Sequence, residues 1–465
     1  MVMTAFPSLQ IASDTAESIP VQLTRQLRDL ILSGVLRASD KLPSTRQLAG
    51  DLNISRGSVV SAYEQLVAEG YCASRQGAGT VVHPDLPPMP ARQVGAGTQP
   101  SQPTLHHILP LTPGVTLSEL SHRRSWIQAW RQAAHAAPVG VHGDPGLRHA
   151  LAEYLRLSRA TVVDPDRLFV SGGAREGLLL VLAALEDRPR LGVESPGYAS
   201  LHHLAARFGA ELTGLEVDQQ GLVTSRLPDN LDAVIVTPSH QYPSGASLPL
   251  QRRLELVEWA RATGSWVIED DYDAALRYTG EPLPLLSSLD SERVVTLGSF
   301  SSTAPQALGG GFVVAGSGLA EELRHARQDI GPALGSGIQT VWRILLDSGE
   351  YSRDLAHQRN RAMRRREILG AELPVTATMD ERHGGSNAMV YLDDGLPLTS
   401  LELTEQFRRA HLGAVVDPEY WSISDHRGKP LHADVSSNMV LVGLGGGRDE
   451  NFHQACHAFG QILRG

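Results

Sequence analysis

The chain has 465 residues, a formal net charge of −10, 42% apolar residues and 20% charged residues. That length exceeds one compact core and, at about 150 residues per domain, implies two or three units, with the composition of a soluble globular protein rather than a disordered or fibrous one. The longest apolar run, Gly177–Leu185, is too short to span a bilayer, Met1–Pro20 lacks the basic start and apolar core of a signal peptide, and Cys72 and Cys456 build no disulfide framework; a cytoplasmic protein with no membrane partner is expected.

The first elements are helical. Leu23, Leu27, Leu30 and Ile31 recur at helical spacing, which predicts an amphipathic helix over Val21–Ser33 with Pro20 in its first turn and Gly34 as its stop. Ser44 with Gln47 three residues on reads as a reciprocal cap for a second helix through Leu52. After the turn at Asn53-Ile54, Ser55 caps a third helix carrying Val59, Tyr63, Leu66 and Val67. Two extended runs flank Gly77-Ala78-Gly79-Thr80 within Tyr71–His83 and predict a hairpin. Helix, helix, turn, helix, hairpin is the order of a winged helix-turn-helix.

The run Leu42-Pro-Ser-Thr-Arg-Gln-Leu-Ala, then Ser55-Arg56-Gly-Ser-Val, Tyr63-Glu-Gln-Leu, Ala68-Glu-Gly-Tyr71 and Gly77–Val81 resembles the GntR-type DNA-binding domain over residues 18–83. The resemblance implies double-stranded DNA as partner. The third helix would enter the major groove by its N-terminal end, offering Ser55, Arg56 and Ser58; Arg46 would lie near the backbone or groove floor, and Gly79 would let the wing approach the minor groove. The bland alternative is that Arg46 and Arg56 are solvated helix-end arginines; Arg75 lies outside the core motif. Residues 1–83 hold as many acidic as basic side chains, so the head must place its arginines well rather than rely on net charge.

Residues 84–110 are rich in proline, glycine and glutamine and read as a linker. From residue 111 to 465, short apolar runs at Arg167–Ser171, Arg190–Glu194, Ala233–Pro238, Trp266–Asp270 and Val294–Leu297 alternate with helical periods, which predicts a mostly parallel sheet covered on both faces. A smaller α+β subdomain is expected from about Leu373. In such sheets ligands bind at the carboxyl ends of the strands. Those ends carry Gly143-Asp-Pro-Gly-Leu-Arg148, Ser171-Gly-Gly-Ala-Arg-Glu176, Glu194-Ser-Pro-Gly-Tyr198, Thr237-Pro-Ser-His-Gln-Tyr-Pro-Ser-Gly245 and Glu269-Asp-Asp-Tyr-Asp273. Together they resemble a fold-type I aminotransferase, the α/β pyridoxal phosphate-dependent fold, in the version fused behind a GntR head in MocR/GabR-type regulators. The resemblance also implies a homodimer.

In that family a carboxylate keeps the pyridine nitrogen protonated, an aromatic ring stacks on the cofactor, amides and an arginine hold its phosphate, and a lysine forms the Schiff base. By resemblance Asp270 is the pyridine partner, Tyr272 the partner of the phenolic oxygen, Tyr198 the stacking ring, and Gly173 and Ala174 present helix-N-terminal amides to phosphate. Taken singly, Asp270 could be a strand-end helix cap and the tyrosines plain packing. The next motif departs from the pattern. Where family members read close to Gly-Thr-Phe-Ser-Lys-Thr-Leu-Ala-Pro-Gly-Leu-Arg-Leu-Gly-Tyr, this chain reads Gly298-Ser-Phe-Ser-Ser-Thr-Ala-Pro-Gln-Ala-Leu-Gly-Gly-Gly-Phe312. Ser299 keeps a phosphate-binding hydroxyl, Ser302 stands at the lysine position and Gly309 at the arginine position. Serine has no amine. Only Lys41 and Lys429 are lysines, and the stretch Ser436–Leu444 lacks the arginine that binds substrate carboxylate in the family.

The expectation is therefore a DNA-binding regulator with no catalytic residue, its large domain used for dimerisation and for sensing a small-molecule effector. The rival is a fused aminotransferase, against which Ser302 argues, and a third reading is a pure oligomerisation scaffold. Pyridoxal phosphate bound without a covalent link, an unrelated metabolite and an empty pocket all stay open. His106-His107 and His202-His203 lack metal-ligand spacing, so no metal site is expected. Gly445-Gly-Gly447 reads as a turn, and Arg361, Arg364, Arg365 and Arg366 read as a solvated helix face rather than a second DNA contact.

Overall fold

The computed structural model describes residues 6, 9–12, 17–75, 79–86, 109–185, 187–278, 283–380, 384–393, 399–416 and 438–464. Two compact units divide the chain, Met1–His106 and His107–Gly465. Lys429, Gly77, Ala78, the His106-His107 pair and most of the 84–110 stretch lie outside the described residues. No helix among the described residues is long and apolar enough to cross a membrane.

The first unit runs α1 (Ile19–Leu32), α2 (Thr45–Asp51), α3 (Arg56–Ala68), β1 (Cys72–Arg75) and β2 (Gly79–Val82), the strands antiparallel with Cys72 opposite Val82. Leu23, Leu27 and Ile31 of α1 are buried against Leu48, Val59, Ala62 and Leu66; each such side chain contributes about 1.5–3 kcal/mol through burial. Ser44 Oγ accepts the Gln47 amide at 3.1 Å, but Gln47 returns no bond to Ser44, so the cap on α2 is one-sided rather than reciprocal. Tyr63 donates its hydroxyl to the Pro43 carbonyl at 3.0 Å and ties α3 to the entry of α2.

The second unit is built on an eight-stranded sheet. Its chain order is α4 (Arg124–Ala133), α5 (Pro145–Arg159), β3 (Leu168–Ser171), α6 (Ala174–Ala184), β4 (Arg190–Ser195), α7 (Ala199–Arg207), β5 (Glu211–Asp218), β6 (Gly221–Leu222), β7 (Ala233–Val236), α8 (Leu250–Thr263), β8 (Trp266–Asp271), β9 (Val294–Ser299), β10 (Gly311–Val314), α9 (Ala320–Ile330), α10 (Ser336–Asp347) and α11 (Glu350–Glu372). Spatial order is β3-β10-β9-β8-β7-β4-β5-β6. The β9-β8-β7-β4-β5 run is parallel, while β10 and β6 lie antiparallel to their neighbours. Side chains alternate between faces as the pleat requires. Ala233 and Ile235 of β7 pack with α6, α7 and α9, whereas Val234 and Val236 pack with α8. Both faces are covered, and both faces of the central strands are apolar.

The smaller subdomain follows, with β11 (Ala377–Met379), β12 (Asn387–Leu392), α12 (Ser400–Arg409), β13 (Met439–Gly443) and α13 (Asp449–Arg464) around an antiparallel sheet β11-β12-β13. Its core does not begin at residue 373. Leu111 and Leu117 from the start of the unit and Ala362 and Leu369 from α11 share it with Val440, Val442 and Phe459. The irregular segment 109–117 is tied to β13 by a backbone hydrogen bond, Gly443 donating to the Leu111 carbonyl at 2.8 Å.

The arginine cluster on α11 also departs from expectation. Arg364 is exposed, but Arg365 is 1% and Arg366 8% exposed. Arg365 donates to the carbonyls of Leu444, Gly446 and Gly447 and to Asp449 Oδ1 at 2.7–3.0 Å, and its guanidinium lies over the Phe452 ring. Arg361 reaches Asp449 and the Gly447 carbonyl, and Arg366 pairs with Asp380. The glycine turn leaves its carbonyls without backbone partners, and the planar, multi-donor guanidinium satisfies them. This is a clamp, not a solvated face.

Candidate functional site

On the first unit, the residues expected at DNA come from two helix starts and one strand start. Ser55 is the N-cap of α3. Its Oγ accepts the Ser58 amide at 3.1 Å, and the two hydroxyls lie 2.8 Å apart; such a cap contributes about 1 kcal/mol. Arg46 and Arg56 are exposed, and Arg56 Nε donates to Thr45 Oγ1 at 3.3 Å. No acidic residue occupies the first turn of α3, so its amide end keeps the positive potential that favours phosphate. Gly79 opens β2 with φ of +88°, and a β-carbon there would lie 3.5 Å from Lys41 Cε. Lys41, whose backbone bridges to Val81 in the wing, had no sequence signal beyond being one of two lysines.

The second unit gathers the other candidates at the carboxyl edge of the sheet. Ile268 packs on the α6 face of β8, so Asp270, two residues on, points to that same face. Leu297 does likewise on β9, which puts Ser299 there too. Gly173 is the N-cap of α6 with φ of +126°, a region closed to side chains. A β-carbon at Gly173 would sit 3.5 Å from Ser299 Oγ. The start of α6, the Ser299 hydroxyl and the Asp270 carboxyl thus converge on one side of the sheet.

Tyr198, the N-cap residue of α7, packs against this core and against a second cluster of Tyr242, Tyr272, Met389 and Leu441. Tyr198 and Tyr242 meet edge to face at 5.4 Å, Tyr242 and Tyr272 at 5.8 Å, and Tyr272 and His240 at 5.5 Å. Tyr242 and His240 lie inside a motif the sequence singled out but had been given no role. His202 is a core residue, its imidazole pushed down to about 3 by burial.

Asp270 is 3% exposed and its Oδ1 has no hydrogen-bond partner. Burial first, then the nearby carboxylates Asp271, Glu194, Asp273 and Glu269, push its carboxyl up to about 8. Glu194, buried and bonded to Thr237, is pushed up to about 7 by desolvation. An orphaned buried carboxylate oxygen among other acids favours a donor N–H, above all a cationic one. The pyridinium of pyridoxal phosphate is such a group, so the residues present fit it at this end.

The other end differs. Ser302 is half-buried. Gly309 is exposed with φ of +54°, and its carbonyl accepts Trp342 Nε1–H at 2.7 Å. A side chain would find open space there, though the left-handed backbone would cost a non-glycine residue about 1–2 kcal/mol. Gly310, with φ of +120°, has no such room, since a β-carbon would meet Trp342 Nε1 at 2.7 Å.

A cleft of about 800 Å³ lies alongside, lined among others by Arg159, Ser239, His240, Asp273, Arg277 and Tyr391. None of Gly173, Ala174, Tyr198, Asp270, Tyr272 or Ser299 lines it. It abuts them through His240, which contacts Tyr272, and through the chain segment Asp270–Asp273.

A winged helix joined to an aminotransferase-type fold defines the class, and similarity to known proteins narrows it. Residues 21–82 match the model of bacterial regulatory proteins of the gntR family, and residues 124–427 match aminotransferase class I and II. The chain is 39% identical over 381 residues to the pyridoxine biosynthesis transcriptional regulator PdxR of Corynebacterium glutamicum, covering 81% of this chain and 84% of that one. It is 30% identical to the probable rhizopine catabolism regulatory protein MocR of Rhizobium meliloti, covering 78% and 80%. An archaeal alanine:glyoxylate aminotransferase shares the fold with a TM-score of 0.66 at 19% identity, covering 77% of this chain and 90% of that one. This chain belongs to the family of GntR-headed transcription regulators that carry an aminotransferase-like domain.

Proposed function

We propose that this regulator binds a phosphorylated pyridine ligand, pyridoxal phosphate or a close relative, without a covalent bond and without catalysing transamination. The observation that supports this is the pairing of an intact pyridine end, the orphaned Oδ1 of buried Asp270, with a serine at position 302 where the family motif has its lysine. When bound, such a cofactor supplies an electron sink. In this chain Asp270 would hold the ring N–H, Tyr272 would face the phenolic oxygen, and Tyr198 would cover the ring. The Ala174 amide and Ser299 would hold the phosphate, and Gly173, without a side chain, would let it approach the start of α6. Ser302 offers a hydroxyl that cannot replace an amine. The relative PdxR is a regulator of pyridoxine biosynthesis, which supports the same ligand class.

The DNA side of the reading assigns Arg56, Ser55 and Ser58 to the major groove, Arg46 to its edge, and Gly79 with the wing to the minor groove. A homodimer would present two heads to paired half-sites. The Pro-rich stretch 84–110 serves as the linker between head and large domain, and the cytoplasm is the place where both DNA and ligand are met.

Thermal unfolding of the full chain tests the ligand. Pyridoxal phosphate at about 100 times its dissociation constant adds roughly 2.7 kcal/mol of stability, read as a rise in melting temperature. No rise with pyridoxal phosphate or pyridoxamine phosphate up to millimolar concentration rejects the reading and leaves the scaffold alternative.

A further inference from the structure

We propose that Arg175 is the cationic partner of the ligand's phosphoryl group, supplying the charge that Gly309 lacks. The inference rests on the reading that the site formed by Asp270, Tyr198, Ser299 and the start of α6 takes a phosphorylated pyridine, and it concerns which side chain holds the anionic end.

The start of α6 is an incomplete anion site. The Gly172 amide is already bound by Glu176 Oε2 at 3.1 Å and the Gly173 amide by Ser171 Oγ at 3.3 Å. The next amides, on Ala174 and Arg175, belong to the first helical turn and have no partner within the helix. With Ser299 Oγ beside Gly173, they offer neutral donors and a helix end worth about half a charge. A phosphate monoester carries nearly two negative charges at neutral pH. A full cation is missing.

Arg327 does not provide it. Its guanidinium is wholly buried and bound to both Glu176 carboxylate oxygens, at 2.7 and 3.1 Å, and to the carbonyls of Val170 and Gly331. That pair is neutral and fixes the loop before α6. Arg175 differs on each count: it is exposed, and it forms no ion pair among the described residues. Its Nη2 donates to Tyr198 Oη at 3.3 Å, a long bond that is readily exchanged for a charge-assisted one. Arg175 therefore stands between the ring expected to cover the ligand and the amides expected to hold its phosphate. The second observation is Asp270, 3% exposed with Oδ1 unpartnered on the same face of the sheet. A ligand with a ring N–H at one end and a phosphoryl group at the other satisfies Asp270 and Arg175 together.

The alternative is that Arg175 merely steadies Tyr198. Three ligands separate the two roles: pyridoxal phosphate, pyridoxal, which lacks the phosphate, and inorganic phosphate, each titrated against the full-length chain by calorimetry or thermal shift. Arg175→Gln should weaken pyridoxal phosphate and inorganic phosphate by about tenfold to a hundredfold, the loss of one or two charge-assisted hydrogen bonds, and leave pyridoxal unchanged. Arg175→Lys should restore much of the loss, and the salt dependence of the wild type should flatten in Arg175→Gln. Equal weakening of pyridoxal and pyridoxal phosphate assigns Arg175 to Tyr198 and overturns the proposal. Unchanged phosphate affinity in Arg175→Gln overturns it while leaving the ligand reading intact. If the wild type binds inorganic phosphate through Arg175 but not pyridoxal phosphate, the anion site stands and the ligand reading fails; if it binds neither, both fail.

Discussion

Two groups of arginines, one in each unit, do opposite things. In the head, Arg46 and Arg56 project from helix starts, exposed, with one hydrogen bond between Arg56 and Thr45. In the large unit, Arg159, Arg327 and Arg365 are buried and joined to carboxylates and carbonyls. All but two of the chain's 41 cationic residues are arginines, so composition alone does not tell these uses apart. What separates them is what surrounds the guanidinium: water and an acid-free helix start in one case, orphaned carbonyls of a glycine turn in the other. An exposed arginine costs little to remove from the fold and is available to a partner; a clamped one is part of the fold.

Removing the Arg365 guanidinium should have the largest effect. Arg365→Ala leaves the Leu444 and Gly446 carbonyls without this donor while Arg361 still reaches Asp449 and Gly447, and each buried carbonyl left unpaired costs about 1–3 kcal/mol. Arg364→Ala, exposed one residue away, should stay within about 0.5 kcal/mol. Chemical denaturation of both variants decides it, and equal small losses would return the cluster to a solvated face.

Asp270→Asn asks whether a buried acid in the large unit serves the fold or a ligand. It keeps shape and removes charge, so the unliganded protein should be no less stable, because the carboxyl is already held up to about 8 by burial. Affinity for pyridoxal phosphate should fall by about 1.5–3 kcal/mol, a charge-assisted bond, as measured by calorimetric titration. Lost stability with unchanged affinity would make Asp270 a structural cap.

Arg56→Ala is the mirror of Arg365→Ala. It should leave the melting temperature unchanged and weaken binding to the specific operator by about 1–3 kcal/mol if the guanidinium reads a base edge. Equal weakening on random duplex in a gel-shift series would reassign it to phosphate, and no weakening would remove it from the interface.

A further effect is in pH. Asp270 and Glu194 are raised to about 8 and about 7 in the folded chain, against ordinary values of about 3.9 and 4.3 when unfolded. The folded state therefore keeps protons the unfolded state has lost, and the contribution to stability is complete at low pH. It declines as pH rises through that window and levels off above about 8, at up to about 1.4 kcal/mol per proton per pH unit. Denaturation midpoints should fall between pH 6 and pH 8, less steeply in Asp270→Asn. A midpoint that rises over that range would contradict the burial argument.

Local signals were legible. Ser55 marked the start of α3 because capping is decided by neighbours in sequence, and the strand ends of β4, β8 and β9 followed from short apolar runs. Long-range facts were not. Leu111 joins Val442 in one core, and no periodicity relates segments that far apart. Arg365 sits in a polar helical pattern, and nothing nearby announces the Leu444, Gly446 and Gly447 carbonyls it meets. At the site, motifs placed Asp270, Tyr198 and Ser299 on one edge, but the orphaned Oδ1 of Asp270 and the reach of Arg175 to Tyr198 depend on packing across separate strands and helices.

On the proposed reading this regulator keeps a ligand site around Asp270 but makes no covalent bond to its ligand. Full-length protein saturated with pyridoxal phosphate, reduced with borohydride and measured by intact mass spectrometry tests it most directly, with calorimetry on the unreduced sample to establish binding. Stoichiometric binding and an unlabelled chain are expected. A stoichiometric label, mapped by proteolysis to Lys429 or to Lys41, would contradict that reading.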